Sequence, residues 1–175
     1  MREETRLKIQ KEIEAISSAP LKYCEIQQAV IWTKYRGRLA KAGQKAGGDC
    51  GNGRIRVKIK NKLYLLHRVV FYLHNGWLPE FVDHINQDHT DNRPENLRAA
   101  TKSQNCMNRK TKRDCKVPLN GVTIKKTGKY VARISVDGKR VYLGEFDNIF
   151  DAAACRLSAE NKYYGEFSGR KNSAI

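Results

Sequence analysis

The stretch Lys129–Phe146 reads KYVARISVDGKRVYLGEF, and the Asp137-Gly138 pair at its centre is the strongest local constraint in the chain. Apolar and polar residues alternate on either side of it, the period of a half-buried strand. An Asp-Gly joint between two such runs favours a tight hairpin, because its two central residues must take positive φ. A third run, GVTIKK, precedes the pair across Thr127-Gly128. Three antiparallel strands are therefore expected. Alternation puts Val122, Ile124, Ala132, Ile134, Val141 and Leu143 on one side and Thr123, Lys125, Arg133, Ser135, Arg140 and Tyr142 on the other. From Asn148 to Tyr164 an Ala-rich run carries Phe150, Ala153, Ala154 and Leu157 on one helical stripe, which predicts a helix packed on the apolar side of the sheet.

The preceding residues are organised differently. Leu7, Ile9, Ile13 and Ile16 recur among charges over residues 2–16 and predict a packing or partner helix, closed by Ser17-Ser18-Ala19-Pro20. After a Gly-rich stretch, Ile55, Val57 and Ile59 alternate with Arg56, Lys58 and Lys60, which reads as a half-buried strand. Lys60-Asn61-Lys62 turns it, and Leu63 to Leu66 returns. The run from His67 to His74 is apolar and compact, and Asn75-Gly76 is a helix stop. Pro79 forces an extended approach to Phe81, Val82 and Asp83. Ala99-Ala100-Thr101 is expected to open another helix, with Thr101 and Gln104 as a capping box. Asn105 then falls near the end of its first turn, with Asn108 one turn on along the same side. The run RKTKRDCKVPLN, from Arg109 to Asn120, has charge, a late Pro and no hydrophobic period, and reads as a linker.

Charge decides the class of partner. The chain of 175 residues holds 34 Lys plus Arg against 18 Asp plus Glu, a net charge of +16. Self-repulsion on that scale is offset by a polyanion, with nucleic acid first and an anionic membrane surface second. Residues 109 to 142 hold 11 Lys plus Arg and 2 Asp, or +9 of the total. No run of about 18 apolar residues is present, so no membrane-spanning helix is expected. MREETRLKIQKEIEAI lacks the apolar core of a signal peptide, and a cytosolic setting is expected. The cysteines at 24, 50, 106, 115 and 155 are odd in number and have no C-x-x-C spacing, which predicts free thiols rather than a zinc knuckle or disulfide framework.

One stretch remains unexplained by folding alone. VDHINQDHTDNRPENLRAATKSQN, from Val82 to Asn105, gathers metal-friendly and proton-handling groups with little to bury. Asp83-His84 is followed by Asn96 at 12 residues from His84 and Asn105 at 21. With LHRVVFYLHNG, DNRPENLRAAT and SQN around it, residues 54 to 108 resemble the HNH endonuclease family, in the branch of phage and intron-encoded homing enzymes. The resemblance implies a strand pair and a helix around one divalent metal, the ββα-metal fold, and hydrolysis of DNA phosphodiester bonds. It implies that His84 activates water, a task suited to an imidazole titrating near neutral pH. Asp83 and the side-chain oxygen of Asn105 then become hard ligands for one Mg²⁺ or Mn²⁺. The resemblance gives Asn96 an orienting role, bracing the loop and holding His84. Asn108 is the runner-up ligand. Strand neighbours point to opposite faces, so Asp83 and His84 can share a site only where the strand bends. Taken singly, each residue has a bland reading: a surface histidine, a turn-closing asparagine, a polar helix residue. For His67 a DNA contact and a structural role stay open. His74 is expected to be structural at a helix end, and His89 a solvated loop residue.

The C-terminal phrases GVTIKKTGKYVARISVDGKRVYLGEF and DAAACRLSAENKYYGEF are similar to the AP2 DNA-binding domain. That resemblance implies that the sheet face of Thr123, Lys125, Arg133, Ser135, Arg140 and Tyr142 enters a major groove, as its basic and aromatic character suits. Family members often carry Trp or Arg where this chain has Thr123 and Thr127, so no target sequence carries over. Arg109, Lys110, Lys112 and Arg113 are expected to follow phosphates between the two modules.

The sequence thus predicts an α+β chain: an N-terminal extension over 1–53, an HNH nuclease over 54–108, a basic linker over 109–119 and an AP2-like domain over 120–175. The expected activity is a metal-dependent, site-preferring DNA endonuclease of phage or mobile-element type, working in the cytoplasm of an infected bacterial host. One site per chain cuts one strand, so a monomer or weak dimer nicks and a firm dimer cuts both. A catalytically inactive DNA-binding regulator is the alternative, and a non-specific toxin-like nuclease a further one.

Overall fold

The structure is a computed structural model and describes residues 1–38, 40–49, 51, 53–109, 117 and 119–168. It divides into two compact units, Met1–Thr101 and Lys102–Ile175. Both mix helices with small antiparallel sheets.

The first unit begins with helix α1 (Glu3–Ser17). Glu3 and Glu4 in its first turn suit the positive end of the helix dipole. Ile9 and Ile16 are buried, while Leu7 is exposed. Strands β1 (Leu21–Cys24) and β2 (Ala29–Trp32) form a two-stranded sheet. The short β3 (Gly48–Asp49), β4 (Ile55–Ile59) and β5 (Lys62–Leu65) form a three-stranded one. The β4–β5 joint is a two-residue loop, since Ile59 pairs with Lys62. Lys60 and Asn61 both take positive φ, 46° and 64°, as a tight hairpin with right-handed strand twist requires.

Helix α2 (Leu66–Asn75) follows β5 without a break and stops at Gly76, which is left-handed (φ 75°) with its N–H on the Tyr72 carbonyl. Its Val69, Val70 and Phe71 share one core with Ile16, Val30, Val57 and Ile59. Residues 1–53 thus contribute to the same core as the segment after them. Arg68 on α2 fixes three pieces together. Its Nε and Nη2 donate to the Glu12 carboxylate of α1, and its Nη1 donates to the carbonyls of Pro79 and Glu80. That anchors the chain entering β6 (Phe81–His84).

Strand β6 pairs antiparallel with β7 (Leu97–Ala100), Asp83 opposite Arg98 and His84 opposite Leu97. This corrects one expectation: Ala99 and Ala100 do not open a helix. Alanine has no strong objection to a strand, and pairing with Phe81 and Val82 outweighs its helix preference. Helix α3 starts one residue beyond Thr101, at Lys102, and runs to Met107.

The second unit contains α3, which lies against a 3-10 turn at Gly165–Phe167. Its sheet is built from β8 (Val122–Ile124), β9 (Tyr130–Val136) and β10 (Lys139–Phe146), with β9 central. Asp137 and Gly138 form the expected two-residue joint, with φ 48° and 76°. Helix α4 (Ile149–Tyr163) packs on this sheet, its N-terminus capped by the Asn148 side chain on the Asp151 N–H.

The buried stripe of α4 is not the expected one. Phe150 is 80% exposed and Leu157 39%, Ala154 is also exposed and Ala153 is half-buried. Ala152, Arg156, Ala159 and Glu160 are buried instead, with Arg156 paired to Glu160. The Arg156 side chain lies directly against Gly121, where a Cβ would sit 2.3 Å from the Arg133 carbonyl oxygen and 2.4 Å from Arg156 Nε. With Ala152, Ala159 and the Arg156–Glu160 pair turned inward, Phe150 and Leu157 fall on the outer side of α4. Ile124 and Val141, expected to face the helix, stay exposed on the two edge strands, because α4 lies chiefly over β9.

Candidate active site

Asp83 and His84 are the last two residues of β6 and are only 5% exposed each. A surface histidine beside a solvated carboxylate is therefore excluded. The two side chains have different surroundings, as their neighbouring strand positions demand. Asp83 Oδ2 accepts from Arg98 Nε at 3.0 Å and Nη2 at 2.9 Å, the cross-strand partner on the same face. His84 Nε2 is 3.1 Å from Asn92 Oδ1. The His84 ring meets His67 edge-on at 4.9 Å between centroids, and His89 likewise at 5.4 Å.

The chain turns immediately after His84. The Gln87 N–H donates to the His84 carbonyl, and Gln87 takes a positive φ of 61°. Asn96, in the 3-10 turn Pro94–Asn96, closes the loop that follows. Its Oδ1 accepts from the Asn86 N–H, and its Nδ2 donates to Asn86 Oδ1 and to the Asp91 carbonyl, all at 2.8–2.9 Å. Asn96 thus braces the loop, but its side chain does not bond His84. Asn92, which was not among the expected site residues, is bonded to that imidazole. Nothing in the run INQDHTDNRPEN distinguishes Asn92 from Asn86 before the loop is folded.

Electrostatics favour an uncharged imidazole pair. Burial pushes His84 below the usual histidine range, opposed by the hydrogen bond to Asn92 and the charge of Asp83. His67, in the first turn of α2, is pushed down to about 3, by burial first and then by His84, Arg68, Arg54 and His89. Two adjacent imidazoles avoid like charge by staying neutral. His67 is half-buried with its ring against His84. His74 is exposed in the last turn of α2, and His89 is exposed in the loop, close to His84.

Asp83 has the chemistry of a hard-cation ligand. A carboxylate offers about four lone-pair positions, and Arg98 engages one oxygen with two N–H groups. That donor type fits Mg²⁺ or Mn²⁺. Asn105 is half-buried on α3 and Asn108 is buried just beyond it, both in the second unit. Among the described residues, no three His, Cys, Asp or Glu side chains gather as a metal-holding group.

In the second unit Thr123, Lys125, Arg133, Ser135, Arg140 and Tyr142 are all exposed. Cross-strand register sets Arg133 opposite Tyr142 and Ser135 opposite Arg140, so strand parity keeps them on one face. Lys125 is ion-paired with Glu145 of β10. A bulge at Leu143 shifts the register before Gly144. Arg109 is exposed, and its carbonyl accepts from Asn120 Nδ2. Lys110, Lys112 and Arg113 lie outside the described residues, as does most of the expected linker. Cys24, Cys106 and Cys155 are free thiols; Cys50 and Cys115 lie outside the described residues. No helix among the described residues is long and apolar enough to cross a membrane.

Residues 64–107 match the model of a family described as HNH endonuclease. The match runs from β5 through α3 and takes in Asp83, His84, Asn96 and Asn105. It covers about a quarter of the chain and supports a nuclease that acts on DNA. Comparisons with curated proteins and with solved structures gave no match.

Proposed function

We propose that the chain is a divalent-metal-dependent DNA endonuclease of phage or mobile-element type that nicks one strand per site. The observation that carries this reading is His84: a buried imidazole whose burial favours the neutral form, next to Asp83 at the end of β6, inside the HNH-matching segment. A neutral imidazole near neutral pH can accept a proton from water, which is what a general base for hydrolysis must do. Asp83 and Asn105 would hold the cation, with Asn108 the runner-up. When bound, the cation supplies positive charge for the scissile phosphate and the leaving oxygen. Arg98 orients the Asp83 carboxylate, and Asn96 keeps the loop after His84 in one shape. The sheet face of Thr123, Lys125, Arg133, Ser135, Arg140 and Tyr142 reads DNA in the manner of an AP2 domain, while Arg109, Lys110, Lys112 and Arg113 contact phosphates.

The test incubates the purified chain with supercoiled DNA and Mg²⁺ or Mn²⁺, with and without EDTA, and sequences the ends. Open circles with defined 5′ ends, lost in EDTA, are expected. His84→Ala should reduce cleavage by about 10²- to 10⁴-fold with DNA binding nearly unchanged. Binding with no cleavage under any divalent cation would identify an inactive DNA-binding regulator instead. Near-normal cleavage by His84→Ala would remove the general-base role.

A further inference from the structure

We infer that Asn92 is a positioning residue that fixes the tautomer of His84, so that Nδ1 is the nitrogen that takes the proton. The inference rests on the nuclease reading for its catalytic meaning, but not for its structural content.

A neutral imidazole carries one N–H and one lone pair, and which nitrogen holds which is decided by what the other groups offer. Asn92 Nδ2 donates to the Thr90 carbonyl at 3.1 Å. A carbonyl only accepts, so this bond settles which end of the Asn92 amide is which. The oxygen is left facing His84 Nε2 at 3.1 Å. A side-chain amide oxygen also only accepts. The hydrogen in that contact must therefore come from Nε2, and the lone pair of a neutral His84 sits on Nδ1.

The surrounding geometry keeps this arrangement in place. Thr90 is itself held by two bonds to Asp88 Oδ1, from its N–H and its Oγ1. Asn86 donates to Asp91 Oδ2, and Asn96 donates to the Asp91 carbonyl. The carbonyl that orients Asn92 therefore belongs to a loop cross-tied at both flanks. The His67 and His89 rings both stand edge-on to His84, at 4.9 and 5.4 Å between centroids, and pack the imidazole in place. A base presenting the wrong nitrogen has its N–H where a lone pair is needed, so the loss falls on the chemical step. DNA affinity should change little, because the Asn92 side chain bonds His84 and its own loop.

The test reads the tautomer directly. The metal-free full chain, labelled with ¹⁵N-histidine, is recorded by long-range ¹H–¹⁵N correlation near neutral pH, with His84 assigned from the signal lost in His84→Gln. The native chain should show the Nε2–H form. Asn92→Leu, which removes the acceptor at similar size, should show a mixture or the Nδ1–H form. Its kcat should fall about 10²-fold, the lower end for lost acid–base catalysis, with KM for DNA unchanged. Asn92→Asp, which keeps an acceptor oxygen, should restore the Nε2–H form and much of kcat. An Nδ1–H form in the native chain overturns the inference without any variant. So does an unchanged Nε2–H form in Asn92→Leu. If His84→Ala cleaves normally, the nuclease reading of His84 fails, while the tautomer spectra still decide the role of Asn92.

Discussion

His67 should make the first unit acid-labile by an amount that can be isolated. Burial, with four cationic or imidazole neighbours, holds its pKa at about 3 against an ordinary 6.5. The folded state therefore keeps His67 neutral between those values, while the unfolded chain takes up a proton. Protons then favour unfolding, so the contribution is complete above pH 6.5 and is lost as the pH falls towards 3. Each pH unit inside that window costs about 1.4 kcal/mol. Moving from pH about 7.5 to about 4.5 crosses roughly two such units, or about 3 kcal/mol from His67 alone. His84 is shifted in the same direction and adds to the slope. His67→Phe keeps a ring against His84 and removes the titration. Urea unfolding followed by tryptophan fluorescence reports on this unit, since Trp32 and Trp77 both lie in it. The native chain should lose roughly 3 kcal/mol more than His67→Phe between the two pH values, because carboxylates common to both cancel. Parallel losses, within about 0.5 kcal/mol as for an ordinary surface site, would show that His67 is not held neutral. A neutral His67–His84 pair at the site would be refuted with it.

Asn96→Ala removes three side-chain hydrogen bonds from a buried turn, and should cost about 2–3 kcal/mol by urea unfolding, with single-turnover cleavage slowed as the His84 loop loosens. Arg133→Ala or Arg140→Ala should blur the cut-site preference in a deep-sequenced cleavage assay by about 1–3 kcal/mol of discrimination per base contact; an intact profile after deleting residues 120–175 would move specificity to the first unit. Lys112→Ala should instead lower binding to all sequences and flatten the salt dependence by about one unit of slope. On α4, Phe150→Ser should shift stability by no more than about 0.5 kcal/mol, whereas Ala152→Leu should cost about 1–3 kcal/mol, both read by thermal unfolding; the reverse order would restore Phe150 and Leu157 to the inner face.

Several features were legible in the residues themselves because their causes are local. Asp137-Gly138 and Lys60-Asn61 announce tight hairpins, since few residue pairs accept two positive φ values in succession. Asn75-Gly76 ends α2 because glycine enters the left-handed region without a Cβ clash. The spacing of Asp83, His84, Asn96 and Asn105 pointed to the HNH endonuclease family, whose model matches that same segment. What needed the tertiary structure was every choice between local alternatives of similar cost. Ala99 and Ala100 suit helix or strand, and only pairing with β6 selects the strand. Helix α4 offers a stripe with Phe150 and Leu157 and a face with Ala152, Arg156, Ala159 and Glu160, and only packing on the sheet, with Arg156 against Gly121, selects the second. Asn86, Asn92 and Asn96 are chemically alike in a polar loop, and only the folded loop sends Asn92 to His84 and Asn96 to Asp91. Hydrogen bonds to distant groups decide such cases, and a side chain's type says nothing about which distant group it will meet.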